Sequence, residues 1–192
     1  LAQQNVKTIL DYSVEGKQND EDFDHTLGKA VASIERASKD QNIPFCVIKL
    51  TGLIPFHLLE KVTSKAELTD EEGYEFVKGR NRVDIICQKS HNSNIPLLID
   101  AEESWIQDAI DEIALIMMYR YNQERPIVYN TAQMYRHDRL DYIKELYQQS
   151  IDENFYIGVK LVRGAYMEKE RARAAKLHYT SPIQPNKEAT DR

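Results

Sequence analysis

Glycine is scarce in this chain, seven residues in 192, and those present are scattered. No GxGxxG or GxxxxGK pattern occurs, which argues against a dinucleotide-binding or P-loop fold. Cysteine is scarcer still. Cys46 and Cys87 lack metal-type spacing and read as thiols of a reducing compartment. Cys46, inside an apolar run, reads as a small buried hydrophobe. The histidines His25, His57, His91, His137 and His178 show no pairing at ligand spacing, so no metal site is expected. No GxSxG or Cys/His nucleophile arrangement appears. Positive charge is not in excess. The net charge of -6 argues against nucleic acid as a partner and against electrostatic docking on an anionic membrane. No apolar run approaches the length of a transmembrane segment, and no signal or transit peptide is read in Leu1–Asn5.

What is present is ordinary for a globular chain, 42% hydrophobic and 29% charged. The length fits one domain that buries about 70% of its unfolded surface. Five short apolar runs each end in a polar residue. They are Lys7–Leu10 closed by Asp11, Phe45–Ile48 closed by Lys49, Pro96–Ile99 closed by Asp100, Pro126–Tyr129 closed by Asn130, and Tyr156–Val159 closed by Lys160. Helical patterns fall between them. Residues 20–39 carry Phe23, Leu27, Ala30, Val31, Ile34 and Ala37 at helical spacing behind an Asp20 cap. Thr69–Glu72 reads as a capping box opening a helix to about residue 90. Residues 102–121 place Trp105, Ala109, Ile110, Ile113, Ile116 and Met117 on one face. Residues 138–149 do so with Leu140, Ile143, Leu146 and Tyr147 behind an Asp138 cap. Glu168–Leu177 is rich in helix formers. Gly52–Leu68 is the longest irregular connection, a loop with room for one short helix near the site.

This βα alternation implies an α/β fold with a parallel sheet covered by helices. A five-stranded part of a (βα)8 barrel and a doubly wound open sheet both accept it. In a barrel the carboxyl ends of the strands face the active site, and the candidate site is then Asp11, Lys49, Asp100, Asn130 and Lys160. Lys49 and Lys160 interrupt apolar runs. A buried ammonium is costly without a partner, so each either faces solvent at a strand end or meets an anion. Asp11 and Asp100 either cap the following helix or join the pocket, and Glu15 either joins it or is solvated. Asn130 offers a donor and an acceptor, which suits a heterocycle edge or a turn. Gly164 and Ala165 allow close approach of a ligand to the backbone. Tyr166 either packs at a strand–helix junction or presents its ring and hydroxyl to the site.

The segment Gly158–Arg173, with Lys-Leu-Val-Arg-Gly-Ala-Tyr at 160–166, closely resembles the hallmark segment of proline dehydrogenases. Ile9–Glu15, Val47–Leu50, Leu98–Glu103 and Asn130–Gln133 resemble that family's other strand-end motifs, in the family's order. The form at 160–166 is similar to the stand-alone and mitochondrial-type enzymes. The large bifunctional bacterial enzymes usually carry Arg-Leu-Val-Lys there, and often Gln where this chain has Asn130.

The resemblance implies a distorted (βα)8 TIM-like barrel, here an incomplete one of about five strands in a single partial domain spanning 1–192. It implies FAD as cofactor and oxidation of L-proline to Δ1-pyrroline-5-carboxylate, with hydride transfer to FAD and electrons passed to a membrane quinone. Lys160 and Asp100 would be catalytic. Lys49 would pair with the substrate carboxylate and Tyr166 would pack on the substrate ring. Ala101, Asn130, Lys160, Arg163, Gly164 and Ala165 would contact the cofactor. The implied location is the bacterial cytoplasm, peripheral at the inner membrane, or the mitochondrial matrix side. The chain departs from the pattern in one respect: the Arg-Arg pair that completes the family's carboxylate clamp does not occur. The chain also begins within seven residues of a strand and ends in a polar segment, Pro182–Arg192. The expectation is therefore a piece of a longer protein, lacking the C-terminal strands and the substrate-binding helix, inactive alone and a poor binder of FAD. Hydroxyproline oxidation, or a non-catalytic barrel binding an anionic metabolite, are the alternative readings.

Overall fold

The computed structural model describes residues 2–4, 6–11 and 19–191. Five strands form one sheet: β1 (Ile9–Asp11), β2 (Phe45–Ile48), β3 (Leu97–Ile99), β4 (Val128–Gln133) and β5 (Val159–Val162). Their order in the sheet is their order in the chain, and every pairing is parallel. A doubly wound sheet reverses its strand order at a switch point. Here no reversal occurs, so the sheet is a run of consecutive βα units of the barrel type.

The helices are α1 (Asp20–Ala37), α2 (Phe56–Thr63), α3 (Asp70–Ser93), α4 (Ser104–Tyr121), α5 (Arg139–Asp152), α6 (Met167–Leu177) and the single turn α7 (Lys187–Thr190). Local chemistry sets most of their ends. The α3 capping box forms as expected: Thr69 Oγ1 accepts from the Glu72 N–H at 3.2 Å and Glu72 Oε2 accepts from the Thr69 N–H at 2.9 Å. α3 stops at Asn94, whose φ of 55° is left-handed. The α1 cap is Asn19 rather than Asp20, because its Oδ1 reaches the Asp22 N–H at 2.9 Å. That leaves Asp20 in the first turn, where an acid suits the helix dipole. The irregular connection after β2 resolves into a 3-10 turn, Leu50–Gly52, and the helix α2.

α5 departs most from its reading. Leu146 is buried, but Leu140 and Tyr147 are exposed. Arg139 turns inward instead, against Asp111 of α4, and this pairing sets the helix rotation. Asp138 precedes α5 but caps no backbone N–H, since its carboxylate takes the guanidinium groups of Arg136 and Arg139. The polar segment near the end is also not idle. Ile183 is buried and bridges antiparallel to Arg136.

The core lies between the sheet and α1 to α4, where Ile48, Leu97, Ile99 and Val128 meet Ile34, Ile86, Ile110 and Met117. Cys46 and Cys87 are both buried and unbridged. Burial pushes the Cys46 thiol up to about 11, which keeps it protonated and hydrophobe-like. Among the described residues no helix is long and apolar enough to cross a membrane.

Candidate active site

Strand register decides which side chains share a face. Thr131 pairs with Lys160. Asp100 follows Ile99, the partner of Asn130, so it lies level with Thr131. Lys49 follows Ile48, the partner of Ile99, so it lies level with Asp100. Four chain segments thus deliver Lys49, Asp100, Thr131 and Lys160 to one transverse row, which lies just past the carboxyl ends of β2 and β3 and crosses β4 and β5 two residues before theirs. All four line a cavity of about 780 Å³. Asp100 does not cap α4; Glu103 stands at that position. The Asp100 carboxylate pairs instead with the Lys160 ammonium.

The other wall comes from the segment after β5. Gly164, Ala165 and Tyr166 line the cavity, and Ala101 faces it from the β3–α4 junction. The Lys49 ammonium lies 3.4 Å from the Tyr166 hydroxyl and 6.0 Å from its ring centroid. Lys169 approaches the same ring at 5.4 Å and pairs with Glu103 at 2.9 Å. α6 is held across the mouth by the fully buried Glu170. Its carboxylate accepts the Ser104 N–H at 2.6 Å and the Ser104 hydroxyl at 2.7 Å. Arg173 adds a contact to Glu60 at 3.0 Å and stacks on Trp105.

Two proposed cofactor contacts are placed elsewhere. Asn130 pairs with Ile99 and Val159, and alternation turns it to the helix face of the sheet. Its amide donates to Asp111 at 2.7 Å and to the Tyr142 hydroxyl at 2.8 Å. Neither Asn130 nor Lys160 closes its strand, since β4 continues through Gln133 and β5 through Val162; register leaves Asn130 level with Ile99, one residue short of the row, and puts Lys160 on it. Arg163 also turns away from the cavity, forming a bidentate pair with Asp191 at 2.6 Å on the surface. Asp11 pairs with Val47, two residues deeper than Lys49, and is exposed. Glu15 lies outside the described residues.

What the sequence reading missed is Gln133. It shares the Thr131 face and lines the cavity with Tyr135. Period-two spacing from Tyr129 through Thr131 was the available sign. Gln133 Nε2 donates to the Glu102 carbonyl at 2.6 Å and to the Tyr135 hydroxyl at 2.9 Å, while its Oε1 accepts from Arg136 at 3.2 Å. The chain of bonds then closes on itself. Arg136 and Arg139 share Asp138, Arg139 reaches Asp111 at 2.5 Å, and Gln107 joins Asp111 to the Glu102 N–H at 2.8 Å each. Among the described residues no buried side-chain polar atom lacks a partner, which is what keeps so polar an interior affordable. Also among the described residues, no group of three or more His, Cys, Asp or Glu is arranged to hold a metal ion.

Glu102 is 1% exposed. Burial is the largest influence on its carboxyl, pushing it up to about 7 against the opposing bonds from Thr51. Between its ordinary range near 4.5 and about 7 the folded chain holds a proton that the unfolded chain has released. Stability therefore falls as pH rises through that window, by at most about 1.4 kcal/mol per pH unit. Urea unfolding at pH 5, 6 and 7 should show this slope, and Glu102→Gln should flatten it. Parallel curves for the two proteins would mean that Glu102 titrates normally.

The whole chain, residues 1–192, matches the family described as Proline dehydrogenase. It is 31% identical to proline dehydrogenase 1, mitochondrial, of Dictyostelium discoideum, covering 94% of this chain and 38% of that protein. It is 30% identical to the carbapenem antibiotics biosynthesis protein CarD of Pectobacterium carotovorum, covering 89% of this chain and 46% of that one. The crystal structure of proline utilization A (PutA) from Bdellovibrio bacteriovorus superposes with a TM-score of 0.80 at 16% identity. That match covers 99% of this chain and 21% of PutA, and it supports the incomplete TIM-like barrel as the fold. The chain thus spans less than half the length of these curated relatives. On the match across its full length, the chain belongs to the proline dehydrogenase family.

Proposed function

We propose that this chain forms part of the catalytic barrel of an FAD-dependent proline dehydrogenase. It would oxidise L-proline to Δ1-pyrroline-5-carboxylate, with a quinone as the final electron acceptor. The observation that carries this reading is the row Lys49, Asp100, Thr131 and Lys160 along one cavity, with Tyr166 leaning onto Lys49. An amino-acid substrate needs a cation for its carboxylate, and Lys49 supplies one. Tyr166 offers a ring face to the substrate ring. Lys160, held by Asp100, keeps a positive charge where negative charge develops during the reaction.

The residues present fit a flavin. Gly164 and Ala165 leave the wall low, Gln133 presents an amide held from both ends, and Ala101 faces the same space. Gln133 takes the place first given to Asn130. Gln133, Lys160, Gly164, Ala165 and Ala101 would hold the FAD, which would supply a two-electron acceptor for the hydride of the C–H bond beside the ring nitrogen of proline. The protein's part is to orient the substrate, hold the charges and exclude water. A closed barrel needs eight strands, and five are described. The remaining strands, with the family's Arg-Arg helix, belong to further sequence in this reading. The matching location is the bacterial cytoplasm at the inner membrane, or the matrix side of the mitochondrial inner membrane.

The test is made on the full-length protein. It should purify yellow, and L-proline should bleach the visible flavin band under anaerobic conditions while hydroxyproline does not. Preferential bleaching by hydroxyproline would reassign the substrate. A colourless protein, or no bleaching by either ring, would overturn the assignment.

A further inference from the structure

Glu102 takes no part in the Lys160–Asp100 pair and does not line the cavity, yet every polar atom it owns is engaged. One carboxylate oxygen accepts the Thr51 N–H at 3.1 Å and the other accepts the Thr51 hydroxyl at 2.5 Å. Its backbone N–H donates to Gln107 at 2.8 Å, and its carbonyl accepts from Gln133 at 2.6 Å. A carboxylic acid at this depth costs stability relative to an apolar side chain of similar size. Its bonds go to one place in particular. Thr51 lies inside the 3-10 turn Leu50–Gly52, two residues beyond Lys49. That turn sets the direction in which the chain leaves β2, and so the root of the Lys49 side chain. Of the charged groups about Glu102, Lys49 favours its ionised form and Glu103 opposes it; Gln107 and Gln133 are neutral.

We infer that Glu102 is a positioning residue: through Thr51 it pins the turn Leu50–Gly52 and aims Lys49 at the carboxylate of the amino-acid substrate. The same residue ties that turn to Gln133, so the substrate cation and the cofactor-side amide are kept in register by one buried side chain and its own backbone. This inference rests on the role given to Lys49 above.

A double-mutant cycle in the full-length, flavin-loaded enzyme tests it. Lys49→Met should raise KM for L-proline tenfold or more, the loss of about one charge-assisted contact. Glu102→Gln should raise KM about fivefold, with kcat held within about twofold, because a hydrogen bond to the turn is weakened while the reacting centre is untouched. In the Lys49→Met background Glu102→Gln should add nothing to KM. Thr51→Val should reproduce the pattern, and it stands in for Glu102→Gln if that variant does not fold. If Lys49→Met leaves KM unchanged, the substrate role of Lys49 is wrong and this inference falls with it. If Lys49→Met raises KM while the Glu102 and Thr51 variants do not, Glu102 alone loses its role. It also does so if those variants raise KM by the same factor in both backgrounds.

Discussion

In the full-length enzyme proposed above, Lys160→Ala is expected to slow the reduction of bound flavin by L-proline about a thousandfold, the range seen when one preorganised electrostatic contact at a reacting centre is removed. Two effects add. The variant removes the cation level with Thr131 on β5, and it leaves the Asp100 carboxylate facing the cavity without the ammonium that balances it. Negative charge developing nearby then meets a like charge instead of an opposite one. Lys176→Ala is the control, an exposed lysine late in α6; it should change the rate by less than about twofold, as surface charges screened by water do. The measurement is anaerobic stopped-flow absorbance of the flavin band at saturating proline. Lys160→Arg should recover part of the rate, since it restores charge but not shape. Equal rates for the Lys160 and Lys176 variants would remove Lys160 from the mechanism.

The second large effect concerns stability. Arg139→Met should destabilise the fold by about 3–5 kcal/mol, the cost of leaving one member of a buried ion pair without the other. Asp111 would remain under the sheet with only Gln107 and Asn130 to hold it. A shift of that size is a large share of the 5–15 kcal/mol that holds a typical domain folded. It is read from the midpoint of urea unfolding. Asn130→Ala should cost less, about 1–3 kcal/mol, because Asp111 keeps Arg139. The Asn130 variant also separates two roles. On the helix face of the sheet, Asn130 affects stability and leaves flavin affinity of the folded protein unchanged. A variant of native stability that loses flavin would return Asn130 to the cofactor site.

The slip at Asn130 shows where local reading stops. Lys49 and Asp100 each follow the last residue of a strand that stops where its apolar letters stop, whereas Lys160 is the second residue of β5, which runs on to Val162. In β4 the apolar letters end at Tyr129 and polar ones follow: Asn130, Thr131 and then Gln133. Asn has low strand preference and reads as a turn. The strand nonetheless continues, because pairing with β5 runs as far as Gln133 opposite Val162. Side chains alternate, and Asn130 stands level with Ile99, one residue short of Asp100, so it falls on the opposite face. Asn130 left the site for that reason and Thr131 entered it. α5 shows the same limit on a helix. Leu140 and Tyr147 have apolar letters, but the helix turned to satisfy the charge on Arg139, since a buried unpaired carboxylate at Asp111 costs more than two exposed apolar side chains.

By itself the sequence determined the alternation of strand and helix, the capping box that starts α3, and the presence of Lys49 and Asp100 just past strand ends. Each of these depends on a few neighbouring residues. Only the tertiary structure decided that the strands lie side by side in chain order, that Gln133 rather than Asn130 faces the cavity, and that Glu102 joins the turn at Thr51 to β4. Strand order and strand length are fixed by hydrogen bonds to a neighbour far away in the chain, and a buried carboxylate is positioned by partners on three separate segments. No single stretch of sequence contains that information.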